Sequence, residues 1–517
     1  MMKTRWIMAV AGGVGLMMGS GALAGGSAEE VAPVAVPAAV AAPVAAPAPV
    51  AAPAAVAAVP AMATGKEAGK TCGVCQLPVR YGGDERVRQE HFDNMPAGGP
   101  PGKNDYFRFR TRLWTECDVM DNVTVRARLV NEMRSWNDPD VSARPQSATY
   151  EFADEWVLDN LYVEVRDLMD KSVDVRVGRQ DLMYGNGRVI LEGTPEDGSR
   201  TIYFNAVKAT VKSLPNTTVD LLAIYNPAED QMAINPADRD LVGLTGGYDG
   251  MEESGGGFYL KNQSMKNMPL EAYGLYKNES AWTQPAKKDA KIPGQFVDPA
   301  YPAWQALDAK AGTVETDPTD VYTLGFRLMP KFSDMLSGNL EVAGQTGSRG
   351  DADLQAYMVD AYASCKLPVM KDMAPVADAG VYMLSGDDPK TRDDEGWNPL
   401  WARYPQFSEL YVYCVPRGRY SNLTMPNAKI TMSPTKRVKT TAMLGYMMAA
   451  EDDGPGDGKA RGWLGTVKGE FTIAEKMLTK TDKLTGHLLA EVLEPGDYYA
   501  DSEDTSYFLR WEVMYAF

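Results

Sequence analysis

From about residue 84 onward, apolar and polar side chains alternate in short segments separated by polar breaks rich in glycine and proline. Val123, Val125, Ala127 and Leu129 share one side of such a segment, and Thr124, Arg126 and Arg128 the other. Leu161, Val163 and Val165 oppose Tyr162, Glu164 and Arg166, while Val173, Val175 and Val177 oppose Asp174 and Arg176. A two-residue period with one apolar side predicts half-buried β-strands. Strands are expected near 84–93, 105–115, 122–133, 158–168, 172–180, 201–213, 217–226, 255–262 and 268–278. Nine more are expected near 320–330, 337–348, 354–366, 376–387, 424–433, 437–450, 461–473, 484–494 and 504–517. Alternation by itself also fits a soluble sandwich.

The breaks discriminate further. Those after even-numbered strands are short, such as Asp167 to Lys171, Leu214 to Asn216 and Ser433 to Lys436. Those after most odd-numbered strands are long and polar: 134–157, 181–200, 227–254, 279–319 and 388–423. Outer-membrane barrels sort their connections this way, with short periplasmic turns and long outer loops; a sandwich has no reason to. The same polarity requires a strand before 105–115, and Asp84-Glu85-Arg86-Val87-Arg88-Gln89-Glu90 is its candidate. A β-like run from Glu409 to Cys414 is assigned to a hairpin within a loop, because a wall strand there would spoil the sorting. In the last strand Tyr507, Leu509, Trp511, Val513, Tyr515 and Phe517 share one face, as an apolar band with aromatic girdles requires. The expected fold is all-β: a transmembrane antiparallel β-barrel of about 18 strands behind a disordered Ala/Pro-rich N-terminal extension.

The N-terminus agrees with export. Lys3 and Arg5 precede an apolar stretch from Trp6 to Leu23 that ends at Ala22-Leu23-Ala24, the pattern of a secretory signal peptide over 1–24. Residues 25–80 read as a periplasmic linker, with Ala/Val/Pro repeats that act as a polyproline spacer or a plain tether. Proline at that density cannot form a spanning helix. The barrel is expected over 81–517.

Composition narrows the chemistry. With 69 Asp+Glu against 52 Lys+Arg, a basic nucleic-acid footprint is absent. Two histidines, His91 and His487, leave little material for a metal centre or a histidine-based active site, so no catalytic residue, cofactor or metal is expected. The five cysteines make an odd set. Cys72 and Cys75 could form a disulfide, a redox pair or half a metal site; Gln76 follows where a c-type haem attachment needs histidine. Acidic clusters at Asp387-Asp388 and Glu451-Asp452-Asp453 lack a calcium-loop signature and read as solvated faces.

Paired basic positions in the opening strands, Arg86-Val87-Arg88, Arg108-Phe109-Arg110-Thr111-Arg112 and Arg126-Ala127-Arg128, resemble the first strands of the alginate-export family of outer-membrane porins. Gly178-Arg179-Gln180 with Tyr184-Gly185, and Ser385-Gly386-Asp387-Asp388 with Asn398-Pro399-Leu400, resemble two of its loops. The resemblance spans about residues 84 to 517 and implies an eighteen-stranded barrel. The Ala/Pro spacer and the Cys72/Cys75 segment depart from the family pattern, and the family name does not settle the cargo.

If the apolar partners face lipid, Arg108, Arg110, Arg112, Arg126, Arg128, Arg166 and Arg176 face the lumen as substrate-binding candidates. A low-dielectric wall strengthens their field, and a planar guanidinium suits carboxylates. The alternative is structural: Glu90, Glu132, Glu164 and Asp174 pair with them and brace the wall. Strict alternation from Val177 sends Arg179 outward, so it needs a bulge at Gly178 or a position at the rim. The expected function is a passive outer-membrane porin, not an enzyme, for small anionic or oligosaccharide solutes. Its expected partners are outer-membrane lipid and, through residues 25–80, the cell wall or a periplasmic protein; nucleic acid is not expected. A barrel that sheathes redox or other periplasmic proteins, and an outer-membrane hydrolase using His487, are the rival readings.

Overall fold

The structure is a computed structural model. It describes residues 70–71, 77–94, 103–138, 150–191, 203–227, 232–234, 252–285, 313–402, 407–413, 420–454, 456–499 and 504–517. The expected signal peptide, most of the expected linker, and Cys72, Cys75 and Cys414 lie outside these residues.

Alternation along the described chain produces one antiparallel sheet whose wall has eighteen strands. The first nine are β1(Pro78–Asp93), β2(Lys103–Met120), β3(Val123–Asp138), β4(Trp156–Asp167), β5(Val173–Gln180), β6(Phe204–Leu214), β7(Thr217–Asn226), β8(Glu253–Asn262) and β9(Leu270–Glu279). The second nine are β10(Thr319–Leu328), β11(Leu336–Arg349), β12(Ala352–Lys366), β13(Val376–Leu384), β14(Leu423–Thr435), β15(Val438–Met448), β16(Ala460–Glu475), β17(Lys483–Glu494) and β18(Ser506–Ala516). Each corresponds to one expected strand, including the charged β1. The ring closes where β18 pairs with β1, from Asp84↔Ala516 to Asp93↔Tyr507, and Gly83 and Phe517 exchange backbone hydrogen bonds of 3.1 and 3.0 Å. A bilayer has no water to satisfy an open strand edge, and closure removes the edge. No helix among the described residues is long and apolar enough to cross a membrane; the strands do so.

The sidedness follows the pattern. Leu324, Leu488 and Leu509 are exposed on the outside of the wall, while their neighbours Thr323, His487 and Arg510 are covered inside. Tyr225, Tyr322, Trp463 and Tyr507 are exposed near the strand ends that carry the long loops, and Tyr81 and Phe517 near the opposite end, which makes two aromatic girdles. Short turns such as Pro215–Asn216 and Lys436–Arg437 close the second end. Gly350–Asp351 is a tight turn at the long-loop end, an exception to the sorting.

One expectation is corrected. Residues 409–413 form a short helix, α1(Glu409–Tyr413), instead of a hairpin. Ser408 Oγ accepts the Tyr411 N–H at 3.0 Å as an N-terminal cap, and Glu491 of β17 accepts the N–H groups of Glu409 and Leu410. Leu410 and Tyr411, adjacent in sequence, are both fully covered, which a strand with one apolar face does not achieve.

Candidate functional site

Two connections expected outside the membrane fold into the barrel. The one after β5 places Tyr184 in the lumen, its hydroxyl donating to Asp220 of β7 at 2.7 Å. Its ring stacks on Tyr259 of β8, which stacks on Tyr273 of β9. Gly185, with φ of +57°, turns the chain toward the far wall. There Asn186 accepts from Arg327 of β10 at 2.7 Å, and Arg188 donates through Nε to Asp360 of β12 at 2.8 Å. Burial works against the charge of Arg188, but Asp360, Tyr382 and Glu341 outweigh it and hold the guanidinium above its ordinary pKa.

The connection after β13 meets this segment. Ile190 and Trp401 form a parallel bridge, and the Trp401 N–H donates to the Val189 carbonyl at 3.1 Å. Gln345 of β11 holds Asn398 by two hydrogen bonds to its backbone, of 2.7 and 2.9 Å, and Lys277 of β9 donates to the Leu400 carbonyl. Both family-like loop motifs, Tyr184-Gly185 and Asn398-Pro399-Leu400, thus lie in the lumen. A small cavity, of about 20 Å³, remains between the two connections, bordered by Arg188, Tyr382, Leu384, Pro399, Tyr411 and Tyr420.

The opposite wall carries the arginines. All seven candidates face the lumen, and each contacts a carboxylate. Arg108 pairs with Glu90 and Glu132 at 3.1 and 2.9 Å, and Arg128 with Asp159 and Asp181 at 2.8 and 3.0 Å. Arg110 and Arg112 share the single carboxylate of Asp84, at 3.1 and 2.6 Å. Arg126 reaches Glu116, while Arg166 and Arg176 share Glu164, in a more open group toward the short-turn end. Glu90, Glu132 and Glu164 therefore do brace arginines; Asp174 instead takes Lys212 at 2.7 Å. His487 of β17 faces Glu512 at 3.4 Å inside the same web.

Arg179 belongs to the rim. At the outer end of β5 its guanidinium lies 3.8 Å over the Tyr203 ring and donates to Asn205 and to the Leu158 carbonyl. The pairing of β5 runs without a register shift, so no bulge is needed.

Sequence reasoning missed three further basic positions of the web. Arg86 pairs with Glu132, Arg88 with Glu512, and Arg510 of β18 with Glu90 and Glu409. The first two were legible as inward positions of β1. Arg510 was legible from its alternation with Leu509 and Trp511.

A closed wall with lipid-facing apolar bands, a charged lumen and inward loops defines an outer-membrane channel of the porin type, in contact with lipid. Residues 78–456 match the family described as alginate export, and the chain belongs to that family. No curated protein matches it. Among solved structures it is similar in fold to a BenF-like porin from Pseudomonas fluorescens Pf-5, at 11% identity and a TM-score of 0.53, over 85% of this chain and 98% of that one. It is also similar to OccK2 (OpdF) of Pseudomonas aeruginosa, at 10% identity and a TM-score of 0.50, over 84% and 97%.

Proposed function

We propose that this porin is an anion-leaning, passive channel for small carboxylate-bearing or sugar-like solutes, with no catalytic step. The observation that carries the selectivity is the trio at Asp84. Two buried guanidiniums share one carboxylate, and Arg110 Nε and Arg112 Nη1 have no hydrogen-bond partner among the described residues. A surplus positive charge in a low-dielectric wall attracts anions. The remaining arginines keep the path polar while their partners limit the net field.

Planar-bilayer recording across a salt gradient tests this. The wild-type reversal potential is expected to report anion preference, and Arg110→Gln with Arg112→Gln to move it toward zero. Cation preference in the wild type would remove the proposal. A sheath for a second protein needs an open lumen, and the two inward connections stand against it. In this reading residues 1–24 direct export and 25–80 serve as a linker to the cell wall or a periplasmic partner. Deleting 25–75 is then expected to leave conductance unchanged.

A further inference from the structure

Arg510 lies at the meeting point of the wall web and an inward segment. It donates to Glu90 of β1 from Nε at 3.0 Å, and its Nη2 forms ion pairs with Glu90 at 2.7 Å and with Glu409 of α1 at 2.8 Å. Glu90 is surrounded by Arg88, Arg108 and Arg510, all almost fully buried. The carboxylate that α1 contributes is therefore the loop-borne member of an otherwise wall-built cluster. Around it, Glu491 of β17 accepts from Ser408 Oγ at 2.6 Å and from the N–H groups of Glu409 and Leu410 at 3.1 and 2.9 Å. Leu410 and Tyr411 are fully covered, and Tyr411 borders the cavity beside Arg188.

We propose that Arg510 is a carboxylate-binding site on the permeation path, and that in this structure the chain's own Glu409 occupies it. The inference rests on the anion-conducting reading and adds a latch to it. Withdrawing Glu409 alone would take one carboxylate away from a buried arginine cluster, which is unfavourable. Exchanging it for the carboxylate of an arriving solute preserves the charge balance and the ion pair on Arg510. Release then costs the Glu491 contacts with Ser408, Glu409 and Leu410, the stacking of the Arg461 guanidinium over the Tyr411 ring, and the uncovering of Leu410 and Tyr411. A solute that brings its own carboxylate thus frees residues 408–411, and one without a negative charge does not.

The test uses the full-length protein in planar bilayers, with sodium glucuronate as the carboxylate probe and glucose as the neutral control. Wild-type conductance is expected to rise severalfold on adding glucuronate and to ignore glucose. Glu409→Gln, which keeps the shape and removes the charge, is expected to show the raised conductance without glucuronate and no further response. A second measurement does not depend on current: a Leu410→Cys chain should resist maleimide labelling at that position until glucuronate is added. Unchanged conductance in Glu409→Gln, or labelling of Leu410→Cys indifferent to glucuronate, would overturn the latch. Reversal potentials from the same traces report on selectivity separately. A cation-preferring pore that still opened in Glu409→Gln would therefore sink the selectivity reading and support the latch.

Discussion

At the scale of single residues, energetics turn on buried charges that are matched or shared. Asp84 serves two guanidiniums, so Asp84→Ala leaves both without a carboxylate. The expected loss is about 3–5 kcal/mol, the range for breaking a buried ion pair, read from urea unfolding in detergent by tryptophan fluorescence. Ser408 acts on a smaller scale, capping α1 and donating to Glu491. Ser408→Ala is expected to cost about 1 kcal/mol locally, seen as faster proteolysis near α1 without loss of the barrel. That arginines would point inward was legible from their alternation with valine and leucine. Which carboxylate each one meets was not: Arg88 and Glu512 are 424 positions apart, and Arg510 and Glu90 are 420 apart. A two-residue period reports the side of the wall and carries no information about neighbours brought in by closure.

At the scale of elements, strands and connections behaved differently. Wall strands are half-buried between lipid and lumen, so their period is imposed by the environment and is visible in the chain. Connections carry no such period. Residues 181–191 and 388–402 read as polar outer loops, yet Leu182, Tyr184, Val189, Ile190, Trp397, Leu400 and Trp401 are covered inside the barrel. Their apolar and aromatic content was the available signal. Gln345 tests the seam directly, because it supplies two side-chain hydrogen bonds to the Asn398 backbone. Gln345→Ala is expected to weaken the seam by about 1–3 kcal/mol, the cost of stranding buried polar partners. Protease cleavage within 385–402 should then accelerate while the wall stays folded.

For the molecule as a whole, closure and sidedness decide whether the wall exists. Removing 506–517 takes away β18 and its pairing with both β17 and β1. The heat-modifiable folded band on gels is expected to vanish. Leu324, 71% exposed on the outer face of β10, is the complementary probe. Leu324→Arg, in the middle of its strand, is expected to cost about 2–4 kcal/mol, measured by reversible unfolding in lipid vesicles, with ion selectivity unaffected. The alternating strands, the sorted turn lengths and the aromatic final strand determined the barrel from the chain alone, because a bilayer demands one apolar face and short returns. Tertiary structure decided that the lumen holds two connections, one of them carrying a helix. It also decided that Glu409 sits on Arg510, because the interior of a closed wall is filled by contacts among distant residues that no local pattern encodes.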